Sequence, residues 1–352
     1  MELEELLELF DFSGIQEVLE QSSAGIEISF GEIVEHLMNG NWQALGTMLI
    51  DTMGQALFAE LSANRMLLIQ AMAAAVFSAL FTTFSSVFRS SQIAENGFLV
   101  SYLFLVSLVT SSVVLSIGIA TSVLGLMISF MQAFIPAFSL ALTLTAGSGS
   151  ALIYYQTIFM ICYGVEYVMN LAVIPLIEIN VLLCITNHIT KDEVLGKLEE
   201  LSETAVNWIL KTMLMLVIGI QAVQNLIVPV LQNHKVSLVQ KAISAIPGIG
   251  DGVEAVSGIV LGTGVLIQNA IGVGALLILV FFCLVPVAKL GITCVLYRVA
   301  AALIQPAADK RMVETLDCAG RTAKYLLKAV VVCCVLLFIT IALICAAITG
   351  MQ

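Results

Sequence analysis

Five stretches of the chain are apolar over about the length of a bilayer crossing: 66–88, 98–120, 212–231, 271–288 and 329–349. A hydrocarbon core of ~30 Å takes about 20 apolar residues in helix, so each is read as a transmembrane helix. None alternates apolar and polar positions as a barrel strand would. The pattern therefore predicts an all-α, polytopic transmembrane bundle. Between 121 and 187 the apolar character continues but is interrupted by Pro136, by TAGSGS at 145–150 and by Pro175. Proline removes a backbone donor and clashes with the preceding turn, so helix breaks are expected at Pro136 and Pro175. Irregular backbone at membrane depth survives only where protein or water covers it, which makes these breaks candidate cavity walls.

Outside the spans the apolar positions recur at helical spacing. Leu3, Leu6, Leu7 and Phe10 form one such face, and Phe30, Ile33, Val34 and Leu37 another, with breaks at Ser13-Gly14 and Asn39-Gly40. Residues 1–64 are read as short amphipathic helices laid on the bundle, and 65–352 as the membrane domain. At 190–211, Thr190 and Glu193 have capping-box spacing. There Val194, Leu198, Leu201, Ala205 and Trp208 form an apolar stripe opposite Lys197, Glu199, Glu200 and Glu203. A helix lying at the interface and leading into the next span explains this. That next span carries Gln221, Gln224 and Asn225 at i, i+3, i+4, a stripe expected to face other helices or a wet lumen.

The segment AIPGIGDGVEAVSGIVLGTGVLIQNAIGVG, 245–274, holds eight glycines among apolar neighbours. No GxGxxG or GxxxxGK[ST] occurs in it, so phosphate binding is not expected. Gly258 and Gly262 form a GxxxG that permits close helix contact. With Pro247, Gly248, Gly250 and Gly252 in front and Asn269 and Gly272 behind, the stretch at about 245–270 reads as a re-entrant or unwound gating hairpin.

Composition agrees with the membrane reading, with 60% hydrophobic and 11% charged residues and a mean hydropathy of +1.04. The net charge of -11 matters less than its placement. Residues 1–64 hold twelve Asp or Glu and no Lys or Arg, whereas 289–328 hold seven basic groups against Asp309, Glu314 and Asp317. Basic segments stay inside, so the N-terminal region is expected outside the cytoplasm and the 299–328 loop, with Pro306, Asp309 and Arg311, inside it. An exported N-terminus requires a signal segment, which MELEELLELF does not provide, so the chain is expected to be a mature or trimmed form. An outside N-terminus and an inside basic loop need an odd number of crossings between them. One of the interrupted segments must therefore complete a crossing.

Seven of the eight cysteines lie in apolar segments, no CxxC occurs, and His36, His188 and His234 are far apart, so packed thiols are expected rather than a disulfide framework or metal site. No cofactor and no nucleic-acid partner is expected. No catalytic grouping appears, so the chain is not expected to be an enzyme. Among ionisable residues within the apolar runs, Glu178 and Lys289 sit near span ends, where interfacial anchoring explains them. Glu166 is the candidate lumen-facing acid.

The second half resembles the stage III sporulation protein AE family of endospore-forming bacteria. VIGIQAVQNL at 217–226, IPGIGDGVEAVSGIVLGTGVLIQNAIGV at 246–273 and QPAADKRM at 305–312 carry the resemblance. Gly219, Gln224, Pro247, Gly250, Gly262, Asn269, Gly272, Pro306, Asp309 and Arg311 match its pattern. Gln268 and Gln305 depart from it, so no charge-based role carries over to those two sites. The resemblance implies a multi-pass protein of the mother-cell membrane around the engulfed forespore. It further implies a secretion-like channel complex with an ATPase and ring-forming partners, needed for late forespore transcription, and a precursor with a cleaved signal sequence.

Two functions follow from this reading. The first is a non-enzymatic membrane core, a platform or gated conduit, contacting lipid and the other subunits and compatible with homo-oligomers. The second is an ion-coupled secondary transporter in which Glu166 couples ion flow to substrate movement, with paired broken helices as its repeats.

Overall fold

The computed structural model describes residues 13–21, 30–38, 91–146, 149–188, 195–232, 250–306 and 308–349, with isolated positions between 43 and 73. For 91–97, 140–158, 220–232, 250–269 and 343–349 it describes the backbone alone. The elements are all helical. Two short helices, α1 (Ser13–Gln21) and α2 (Phe30–Met38), precede α3 (Ser91–Ala146) and α4 (Gly149–Val168). A π-helical turn (Met169–Val173) joins α4 to α5 (Ile174–Asn187), and α6 (Gly196–Gln232), α7 (Gly250–Ile304) and α8 (Lys310–Thr349) follow. Four stretches among the described residues are long and apolar enough to cross a membrane: Phe98–Pro136, Phe159–Asn187, Ala270–Ile304 and Lys310–Ala342. Their outer surfaces are apolar too, with Leu103, Leu115, Met160 and Leu171 exposed, as helices solvated by lipid require. The expected 66–88 span lies outside the described residues.

The α4–α5 pair, Phe159–Asn187 with the π turn between, is long and apolar enough for the additional crossing expected from the charge pattern. Its proline break takes a specific form: Pro175 cannot donate to the carbonyl one turn back, and the wider π turn just before it takes up the change. Pro136 is a correction, because α3 runs unbroken through it. The proline lies on the exposed side, while Phe130, Phe134 and Phe138 stack along the buried face at 5.5 and 5.1 Å. Phe159 of α4 meets Phe134 and Phe138 edge-on, so one aromatic ladder pins the helix on both sides of the proline.

The glycine hairpin is a second correction. Gly250, Gly252, Gly258, Gly262, Asn269 and Gly272 all lie on α7, and Pro247 and Gly248 fall outside the described residues. Helical bonding pairs the backbone N–H groups of the segment beyond its first turn. Against that, glycine costs about 1 kcal/mol per position. The basic loop at 299–328 is a third correction. It consists of the end of α7, a connection at 305–309 and the first turns of α8. Asp309 explains the sharp start of α8: its carbonyl accepts from Met312 and Val313, and its carboxylate accepts from the Arg311 backbone N–H at 3.0 Å. The Arg311 guanidinium then lies 3.7 Å from the centre of the Phe98 ring, and Tyr102 Oη meets Thr315 Oγ1 at 3.0 Å, fixing α8 beside α3.

These contacts set the vertical register. The spans of 35 and 39 residues run roughly 52 to 58 Å at 1.5 Å per residue, well beyond a ~30 Å hydrocarbon core. The apolar run of α8 starts only at Ala329, after Arg321, Lys324 and Lys328. The turns of α7 and α8 beyond the 271–288 and 329–349 apolar runs make a helical stub of roughly 20 Å at the basic end. The N-terminal layer packs toward the other end. Gly14 lies against Ala133, and Gly274 against the Phe30 ring and Val34. Phe30, Ile33, Val34 and Leu37 are all buried, which bears out the amphipathic face read at α2. Leu3, Leu6, Leu7 and Phe10 lie outside the described residues.

Candidate functional site

The stub holds a polar cavity of about 470 Å³ between the C-terminus of α5, the first turns of α6 and the first turns of α8. Its geometry starts from an inside-out helix. On α6 the stripe residues Leu198, Leu201 and Trp208 are exposed, whereas Glu199, Ser202 and Val206 are buried against α5 and α8. The apolar stripe therefore faces outward. Turning it outward drives the acidic face of α6 into the protein.

Arg321 of α8 meets that face. Its Nη2 lies 3.1 Å from Glu199 Oε1 and its Nη1 3.5 Å from Glu203 Oε2, and Asp317 stands at 3.9 Å. Asn187 closes the α5–α6 connection, donating to Glu199 Oε2 at 2.9 Å and accepting from the Leu195 N–H at 3.0 Å. One turn deeper, Tyr325 donates to Glu203 at 2.5 Å and accepts from Asn207 at 3.0 Å. His188 sits at the rim with Nε2 3.1 Å from Glu314 Oε2 and Nδ1 2.7 Å from the Cys184 carbonyl. Behind it a disulfide joins Cys184 to Cys318. The packed-thiol expectation is thus corrected for this pair, while Cys162, Cys283, Cys333 and Cys334 are free and buried as expected.

The Lys197–Glu200 pair on the outside of α6 is different in kind. Their 2.8 Å hydrogen bond, and after it their mutual charge, hold the ammonium above its ordinary range and the carboxyl below its own. Both groups are fully exposed, so the pair adds little. The inner network is where substitution registers. Tyr325→Phe removes a hydroxyl that serves a carboxylate and an amide together, and is expected to cost about 1.5–3 kcal/mol, the range for bonds to charged groups. Thermal unfolding in detergent checks this. A double cycle with Glu203→Gln should show coupling above ~0.5 kcal/mol.

The second site candidate lies within the membrane. Glu166 of α4 is completely buried, and neither carboxylate oxygen has a hydrogen-bond partner among the described residues. One turn earlier, Cys162 Sγ meets Thr340 Oγ1 at 3.3 Å. Thr340 is near the centre of the 329–349 apolar run, so Glu166 sits within about one turn, ~6 Å, of the middle of the apolar layer. The π turn begins three residues later. Glu166 therefore points inward among packed side chains, and the stub cavity does not reach it. Gln221, Gln224 and Asn225 are on α6, but their side chains lie outside those described.

The residues of the stub cavity were not singled out from the sequence. Two signals were available: Cys184 and His188 stand at i, i+4 on one helix face, and Cys318 is the one cysteine outside an apolar segment. Neither signal names its partner across 134 residues.

Comparison with known proteins places this arrangement. The family described as Stage III sporulation protein AE (spore_III_AE) matches residues 28–348. Stage III sporulation protein AE of Bacillus subtilis (strain 168) is 24% identical over 293 residues, 83% of this chain and 73% of that protein. No solved structure matches.

Proposed function

The chain belongs to the Stage III sporulation protein AE family, and from that premise we propose that this sporulation membrane protein is the non-enzymatic core of a transenvelope complex between mother cell and forespore. It is a multi-pass platform or gated conduit in the mother-cell membrane surrounding the forespore. Its basic stub lies in the mother-cell cytoplasm and its acidic N-terminal layer on the other side. The observation that supports the reading is the charged helical stub that α7 and α8 form beyond their apolar runs. A carrier that only moves a solute has no need of helices roughly 20 Å longer than the bilayer, whereas a platform uses them to seat soluble subunits. The partners proposed are a secretion-type ATPase at the stub, ring-forming subunits on the N-terminal side, lipid and further copies of the chain.

The test is complementation. A host deleted for its own family member and given this chain as a fluorescent fusion should show fluorescence in the mother-cell membrane around the forespore. It should also regain late forespore reporter expression. Signal confined to the forespore's own membrane, or reporter expression that ignores the deletion, rejects the proposal.

A second reading, an ion-coupled transporter, is favoured by one observation, the unpartnered Glu166 near midplane beside a π turn. The two readings part over the need for its carboxyl group.

A further inference from the structure

We propose that the Cys184–Cys318 pair, in its dithiol form, is half of a zinc site completed by His188 and Glu199. Cys184 and His188 occupy one face of the last turns of α5, Cys318 comes from α8 and Glu199 from α6, so three helices converge on one point. The ligand atoms of Cys184, His188 and Glu199 all lie within 4.8 Å of one another. Cys184 Sγ and His188 Nδ1 are 3.9 Å apart. Two such atoms on one tetrahedral zinc, bound at ~2.3 and ~2.0 Å, stand about 3.5 Å apart, so little movement is needed.

The surroundings fit an ion as well as the donors do. Glu314 holds His188 Nε2 at 3.1 Å, the carboxylate–histidine arrangement that fixes a ligating imidazole through its other nitrogen. Binding through Nδ1 exchanges its present contact with the Cys184 carbonyl for the metal. Asn187 and Arg321 orient Glu199 at 2.9 and 3.1 Å. Arg321 Nη2 also reaches Cys184 Sγ at 3.4 Å, a donor placed to stabilise a thiolate. The cavity gives the ion a route in, since His188 and Glu199 line it. Two thiolates with one imidazole select zinc over magnesium or calcium.

The disulfide and the metal site exclude each other chemically. Two low-molecular-weight thiols convert the disulfide to two protein thiols and one small-molecule disulfide, and zinc then displaces the two thiol protons as it binds. In reverse, a low-molecular-weight disulfide reoxidises the pair and expels the ion. The cytoplasmic placement of the stub, taken from the proposed function, supplies the thiols that keep the pair reduced. The ligand set itself does not depend on that placement.

The experiment uses the full chain in detergent, reduced, freed of reductant and dialysed against zinc ion, with bound metal counted by mass spectrometry. About one zinc per chain is expected, with binding weakened at least tenfold in Cys184→Ser and in His188→Gln. Cys294→Ser, whose thiol donates to the Gly320 carbonyl, should bind as the unsubstituted chain does. Chain oxidised with a small-molecule disulfide should bind none. Cobalt(II) in the unsubstituted reduced chain should give a thiolate charge-transfer band, a readout that needs no variant to fold. Absence of that band, or zinc uptake equal in the reduced chain and in a Cys184→Ser/Cys318→Ser chain, overturns the proposal.

Discussion

Glu166→Leu is expected to raise the stability of the bundle by about 1–3 kcal/mol, the desolvation cost of a buried polar group left without a partner. The site is packed on all sides, with Cys283 and Cys333 near enough to interact with the carboxyl, and leucine is similar in volume. Glu166→Lys should do the opposite. It places a cation where nothing described pairs with it, and a loss of about 3–5 kcal/mol is expected, on the scale of an orphaned buried charge. Thermal midpoints in one detergent order the three chains as Leu above Glu above Lys. The same variants separate the two functional readings. A platform tolerates Glu166→Leu and Glu166→Gln, so spore yield stays near that of the unsubstituted chain. A transporter that moves an ion through the carboxyl loses function in both, although Glu166→Leu is the more stable protein. Stability gained together with function lost would overturn the platform reading, because it identifies a group kept at structural cost for chemistry.

The sequence is most legible where one local rule decides the outcome. Apolar length locates the spans because lipid demands internal hydrogen bonding, and the 3.6-residue period at Phe30, Ile33, Val34 and Leu37 locates a buried face because one helix side meets the bundle. It is least legible where two rules compete. At Gly250–Gly272 glycine's flexibility argued for unwound chain, and continuous helical hydrogen bonding prevailed. At Pro136 the breaker lost to an aromatic ladder drawn from two helices, a tertiary effect that no local window contains. Pro175 did distort the chain, as a wider turn rather than a stop.

The stub cavity failed to appear in the sequence for another reason. Its residues come from 184–203 and 309–325, and Glu199 and Glu203 read as a solvated face opposite an apolar stripe. That inference presumes water outside. Pairing with Arg321 and Tyr325 instead turns the acids in and leaves the stripe outward. Charge was read as a sign of sidedness, yet its packing role depends on Arg321 and Tyr325, which lie far along the chain.

Phe30→Ala is expected to detach the N-terminal layer from the bundle. The ring is fully buried, and its edge lies 3.3 Å from where a Cβ on Gly274 would stand. Truncating a buried phenylalanine costs about 3–5 kcal/mol through lost transfer energy and the cavity left behind. The layer has little to oppose that loss. α1 and α2 are nine residues each, too short to hold helix without tertiary contact, and the backbone N–H of Phe30 donates to Gln16 Oε1 at 3.0 Å. The effect should therefore be local. Limited proteolysis in detergent should release the segment before residue 90 at least tenfold faster, while the main unfolding transition of α3–α8 moves little. Gly274→Val approaches the same contact from the other side. Its Cβ would press on the Phe30 ring and on Val34 at 3.4 Å, an overpacking that typically costs 1–3 kcal/mol. The two changes are in direct contact and should not add, because valine fills part of the space that Phe30→Ala empties. A double variant cleaved more slowly than Phe30→Ala alone would establish that this contact docks the layer. Cleavage rates that multiply, or a single variant that unfolds the whole bundle, would show that the layer is held elsewhere or is part of one cooperative core.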